Sequence, residues 1–151
     1  MMGKLIPLLL ALIGLGAGIG GGMALRPMPE PATEVVEVEI DPEMLPEYVK
    51  MNNQFVVPVL EGGQVAAMVI LSLSLEVKKG ASEEVYSREP KLRDAFLQVM
   101  FDHANAGGFS GSFTDGSNLI LLREALLEMA NKTLGDIISD VLISDIVRQD
   151  S

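Results

Sequence analysis

From Leu5 to Leu25 the chain carries no charged residue, with Lys4 immediately before the run and Arg26 immediately after it. At the 1.5 Å rise of an α-helix, such a stretch reaches across roughly 30 Å of bilayer hydrocarbon. A helix also satisfies every backbone N–H and C=O where no water is available to do so. The run therefore predicts a transmembrane helix over 5–25. All the acidic residues lie beyond Arg26, so the rest of the chain belongs in water. The expected organisation is a short N-terminus over 1–4, the span over 5–25, a tether over 26–43 and a small soluble domain over 44–151.

Orientation follows from the charges on either side of the span. The α-amino group and Lys4 stay with the short N-terminal flank, and beyond Arg26 no base occurs until Lys50. The bias predicts residues 1–4 in the cytoplasm and the soluble domain on the outer side of a bacterial inner membrane, in the periplasm. The competing reading is a cleaved signal peptide, since Gly22-Met23-Ala24 offers small residues of the kind a signal peptidase accepts. Against it, the run is longer than the apolar core of a signal peptide and only one basic side chain precedes it.

Composition removes several function classes. The chain has 11 Lys and Arg and 21 Asp and Glu. Setting aside Lys4 and Arg26, the part beyond the span holds 9 bases against those 21 acids, a net charge of −12. Such a surface repels nucleic-acid backbones and anionic lipid, so no nucleic-acid partner is expected. Cysteine is absent, which excludes disulfides, thiol catalysis and thiolate metal sites.

Within the span, Gly14, Gly18 and Gly22 recur every fourth residue and share one stripe of the helix, where two helices can approach closely. The bland alternative is that glycine is common in membrane helices. Gly16, Gly18 and Gly21 also match a dinucleotide-binding spacing, but no strand precedes them and lipid would surround them. Alternating prolines from Pro27 to Pro31 then favour an extended spacer. Val36 to Ile40 alternates apolar and acidic residues, reading either as a short edge strand or as more tether.

The folded part begins with two β-rich runs, Phe55 to Leu60 and Val65 to Val77, around Glu61-Gly62-Gly63. A glycine pair between strand-forming runs predicts a hairpin. Pro58 has no N–H to donate and so predicts an edge position or an unpaired amide side for the first strand. Leu71, Leu73, Leu75 and Val77 alternate with polar residues, which predicts a sheet buried on one face only. Helical spacing runs from Arg88 to about Asn105 through Leu92, Ala95, Phe96, Val99 and Met100. A second helix follows from about Ser117, with Leu119, Leu122, Leu126, Met129 and Ala130 inward. Asp115 or Ser117 is placed to cap it and Gly135 to end it. Ile137 to Gln149 predicts a closing strand. The expected class is α+β, with the order β-β-α-α-β and both helices on one side of an antiparallel sheet.

Chemistry-bearing residues do not converge in this pattern. The single histidine, His103, falls near the end of the first helix, where a partial positive charge would suit the helix dipole. No second His or Cys exists to complete a metal or catalytic constellation. Asp94, Glu124, Glu128 and Asp136 fall on solvent faces by the same periodicity that buries their neighbours. No catalytic residue, cofactor or metal is expected, and the domain should act through its surfaces.

Three stretches together resemble the FliL family of flagellar basal-body-associated proteins. They are Gln54-Phe55-Val56-Val57-Pro58-Val59 with the strand to Val77, Glu89-Pro90-Lys91-Leu92-Arg93-Asp94-Ala95-Phe96-Leu97, and Asp140-Val141-Leu142-Ile143-Ser144-Asp145-Ile146-Val147-Arg148-Gln149. Their order behind one membrane helix and a proline-bearing tether carries the likeness. At Asp145 and Arg148 the chain departs from the family's closing strand. The resemblance implies a periplasmic domain similar to the stomatin/SPFH type, placed beside MotA/MotB-like stator units. It also implies a ring-like homo-oligomer that supports torque, swimming and swarming. The alternative is a membrane-anchored envelope scaffold or chaperone-like domain outside the flagellum; an enzyme is a distant third.

Overall fold

The computed structural model describes residues 41–151 together with Leu10, Ala11 and Ile13. Apart from those three residues, which are helical, the predicted span over 5–25 lies outside the described residues. So do the Gly14, Gly18 and Gly22 stripe and the tether up to Ile40 with its candidate edge strand. Among the described residues no helix is long and apolar enough to cross a membrane.

A single turn of 3-10 helix at Pro42–Met44, opened by the Asp41 carboxylate accepting from the Glu43 N–H, leads into strand β1 (Glu47–Lys50). The hairpin of β2 (Phe55–Glu61) and β3 (Gln64–Val77) follows. Helix α1 (Ser82–Asn105), helix α2 (Gly116–Leu134) and strand β4 (Ile138–Asp150) complete the order. The predicted β-β-α-α-β is thus preceded by one more strand.

β3 is the spine of the sheet. Along one side it pairs antiparallel with β2 over its first half and with β1 over its second; along the other it pairs with β4 over nearly its whole length. The hairpin closes at Glu61 opposite Gln64, with Gly62 and Gly63 at φ 59° and 81°. Those angles suit the tight turn whose twist matches the strands, and they strain any residue with a Cβ. Pro58 stands on β2, an edge strand as its missing N–H requires.

Both helices cover one face. Ala67, Val69, Leu71, Leu73, Leu75 and Val77 of β3 are buried against Val85, Leu92, Phe96 and Met100 of α1 and Leu122, Leu126 and Ala130 of α2. The alternate residues of β3 are half-buried or exposed, so the sheet has one covered face and one open face. α1 starts six residues before the predicted Arg88. Pro90 reads in sequence as a first-turn residue, yet it lies inside the helix. The preceding turns hold because Val85 is buried in the core and Glu84 pairs with Arg88 at 3.6 Å. Asp115 occupies the N-cap position of α2 without a side-chain cap; its carbonyl accepts from Leu119 instead. Gly135 ends the helix at φ 76° as expected.

β4 carries two bulges, at Ser139 and Ser144, each of which falls between consecutive pairings with β3. Both serine hydroxyls turn back onto the spine: Ser144 donates to the Ser72 carbonyl at 3.0 Å and Ser139 to the Glu76 carboxylate at 2.7 Å. The two departures from the family pattern are accommodated on opposite faces. Asp145 lies beside Ser72 on the open face, and Arg148 lies beside Val69 on the covered one, donating to the Phe109 carbonyl and pairing with Asp150 at 2.8 Å.

Candidate functional site

β1 and β2 would form one continuous strand along β3 were it not for Met51 to Gln54. Lys50 pairs with Ser74 and Phe55 with Leu71, so four residues stand where β3 offers two. The surplus loops out through Asn53, which holds φ 57°, a left-handed conformation that asparagine tolerates better than most residues. A looped backbone leaves polar groups that the ladder cannot satisfy. They are taken up by α1.

Glu89 and Arg93, one turn apart on α1, supply the partners. Glu89 accepts the Asn52 backbone N–H at 2.9 Å and the Asn52 side-chain amide at 2.6 Å. Arg93 donates to the carbonyls of Asn52 at 2.7 Å, Asn53 at 3.3 Å and Gln54 at 2.6 Å. Its guanidinium also stacks 4.2 Å over the Phe55 ring, which itself packs against Phe96. Glu89 is the buried charged residue of the described core, at 9 % exposure. Both side chains belong to the Glu89-Pro90-Lys91-Leu92-Arg93-Asp94 stretch that carries the family likeness. Their hydrogen-bonding capacity goes to the bulge, which makes this a positional clamp rather than an acid–base pair.

The other end of β1 is fastened as well. Glu47 accepts from the Ser82 hydroxyl at 2.5 Å and the Gly80 N–H at 3.1 Å, and these bonds hold its carboxyl below the ordinary range. Across the open face, Glu76 accepts from Ser139 and from the Tyr48 hydroxyl at 2.9 Å, tying β1, β3 and β4 together. The Ser139 and Tyr48 bonds hold the Glu76 carboxyl down, and the same contact pushes the Tyr48 phenol up.

His103 does not take the role its position suggested. Its Nε2 is buried with no hydrogen-bond partner, and its ring meets Phe109 edge-on at 4.9 Å. Burial pushes its pKa below the ordinary value, against an opposing interaction with the Gly108 backbone, so the neutral ring is favoured and the expected helix-dipole charge is not. A solvent-open groove of about 310 Å³ beside it is lined by Val99, Asp102, Ala125, Glu128, Met129 and Lys132. There Glu128 is already paired with Lys132 at 2.6 Å. Asp94, Glu124, Glu128 and Asp136 are all exposed, as their periodicity predicts. Among the described residues no group of three or more His, Cys, Asp or Glu is placed to hold a metal.

Asn52 is the functional-looking residue that the sequence reading passed over. Its signal is the Asn52-Asn53 pair between two strand-forming runs, a composition suited to a bulge or turn. A family model described as "Flagellar basal body-associated protein FliL" matches residues 48–149, a stretch that includes the bulge, its clamp, both helices and nearly all of β4. No curated protein matches the chain.

Proposed function

The chain belongs to the FliL family of flagellar basal body-associated proteins, and from that premise we propose that it is a non-enzymatic accessory of the rotary motor, held at the inner membrane beside the stator. The observation that carries this reading is the extent of the family match, which runs through nearly all of the sheet and both helices rather than one local motif. The clamp supports it further. The most distinctive polar side chains of the domain are engaged in holding backbone, as suits a protein whose output is a shaped surface.

In this reading residues 5–25 span the inner membrane with residues 1–4 in the cytoplasm, and the proline-bearing tether holds the domain off the membrane in the periplasm. Copies assemble as a ring around MotA/MotB-like stator units. The Gly14, Gly18 and Gly22 stripe packs the span against another copy or a stator helix, because glycines let helix backbones approach within van der Waals contact. Replacement Gly18→Leu then weakens assembly while leaving the domain folded. Unchanged cross-linking and unchanged motility in that variant would sink the stripe's role.

The test of the function is a clean in-frame deletion, complemented with the full-length gene, scored for swimming in soft agar, swarming on a surface and filament number. Filaments present with impaired movement are expected. Normal movement on both media would favour the anchored scaffold outside the flagellum.

A further inference from the structure

The open face of the sheet is divided. Toward the β1 end its rows are mostly polar: Tyr48, Glu76 and Asp140 stand side by side, then Lys50 and Ser74 with Leu142, then Ser72 and Asp145. Toward the hairpin end the next row is Val56, Ile70 and Val147, with Met68 beyond it between Pro58 and Gln149. Val56 is 46 % exposed and Val147 44 %. Cross-strand apolar rows facing water on a small domain mark a contact surface.

The edges flanking this face are blunted. β4, thirteen residues long, has its outer edge interrupted by the bulges at Ser139 and Ser144 and charged at Asp140, Asp145, Arg148 and Asp150. β2 carries Pro58 on the opposite edge. These are the devices by which sheets refuse an added strand. A partner on the open face therefore lies across the rows instead of extending them, as α1 and α2 do on the covered face. That is the geometry of an amphipathic helix. Charge selects further: among residues 41–151 acids outnumber bases, and Asp145 stands in the row next to Ile70 and Val147 on the open face itself. Anionic lipid is repelled by the same negative field.

We propose that the apolar end of the open sheet face, centred on Val56, Ile70 and Val147, docks an amphipathic helix of another protein whose polar flanks are basic. The inference deepens the partner side of the proposed function and rests on that reading only for the partner being a protein. A binding assay can fail while a motility phenotype persists, and the reverse, so the two stand or fall separately.

The full-length chain, reconstituted in nanodiscs of zwitterionic lipid, is titrated into a fluorescein-labelled Leu/Lys helical peptide of about 18 residues, long enough to form helix on a surface, with empty nanodiscs as the blank. Binding by anisotropy is expected, together with slowed amide exchange at Met68 and Ile70. The charge-neutral variant Val56→Thr with Val147→Thr is expected to weaken binding about tenfold, or 1.4 kcal/mol, with unchanged circular dichroism. Equal binding by the variant overturns the surface, and equal binding of a Leu/Glu peptide overturns the charge argument. Should the variant misfold, exchange in the unsubstituted chain still decides: no slowing at Met68 and Ile70 overturns the proposal. Concentration-dependent disulfide cross-linking of Val147→Cys between copies, with no peptide binding, assigns the face to self-association and overturns it too.

Discussion

The carboxylate of Glu89 holds Asn52 by both its backbone N–H and its side-chain amide, across 37 residues of sequence. The consequence is mechanical. β1 has only four residues paired to β3, and the bulge that follows would leave its backbone groups unsatisfied without this anchor. Removing the carboxylate leaves a backbone donor without its charged acceptor. Glu89→Ala is expected to cost about 2–3 kcal/mol, read as a lowered urea midpoint, with amide exchange accelerating first at Tyr48 to Met51. Uniform acceleration across the whole sheet would show that the clamp has no special hold on β1.

Arg93 gives a sharper test because its charge can be kept. Lysine cannot reach three carbonyls with a planar fork, nor stack flat over Phe55. Arg93→Lys is expected to destabilise by about 1–2 kcal/mol, from lost hydrogen bonds and a lost cation–π contact. Thermal unfolding checks the magnitude. In the double variant with Glu89→Ala the two losses should sum to less than their total, since both side chains hold one bulge.

How far the sequence reached follows from these same residues. The hairpin was legible because Gly62-Gly63 separates two strand-forming runs, and the covered face because Leu71, Leu73 and Leu75 alternate with polar residues. Those signals are local. β1 was not legible, since Tyr48 and Val49 are the only strand-favouring residues between Pro46 and Lys50, and the strand exists through pairing with a segment up to thirty residues on, Glu47 with Val77. The clamp lay between these cases. Glu89 falls four residues after Val85 and three before Leu92, so helical spacing points it inward beside buried neighbours. What spacing could not supply was the partner, because a bulge that needs an acceptor is visible only once β1 and β2 are registered against β3.

At the far end of α1, tight packing makes a reciprocal prediction. A Cβ on Gly108 would lie 2.2 Å from the His103 Nε2, and the ring already packs edge-on against Phe109. Gly108→Ala is expected to destabilise by about 1–3 kcal/mol as an overpacked site. Adding His103→Ala should recover part of that loss by opening space for the new methyl group. Calorimetric melting of the two single variants and the double variant measures the coupling; strict additivity would place the strain elsewhere.

His103 also sets a pH dependence whose sign is fixed by its burial. Its folded-state pKa lies below the ordinary value of 6.5, because the imidazolium would be buried with Nε2 lacking an acceptor. The unfolded chain therefore binds the proton more readily, and stability rises with pH wherever that is so. Well above 6.5 both states are neutral at this residue and no penalty exists. As pH falls below 6.5 the unfolded state gains protons first, and stability declines until the folded-state pKa is passed. The nearest charges do not reverse this: Asp102 and the Glu128–Lys132 pair line the open groove, while Arg148 is bound at the Phe109 carbonyl. Urea unfolding between pH 7.5 and about 5.5, a range bracketing the ordinary histidine pKa, should show the decline, and His103→Gln should flatten it. An equal slope in the glutamine variant would show that His103 does not set it; the contributions of Glu47 and Glu76, whose carboxyls are held below their ordinary range, are lost only at lower pH, from where the unfolded carboxyls take up protons.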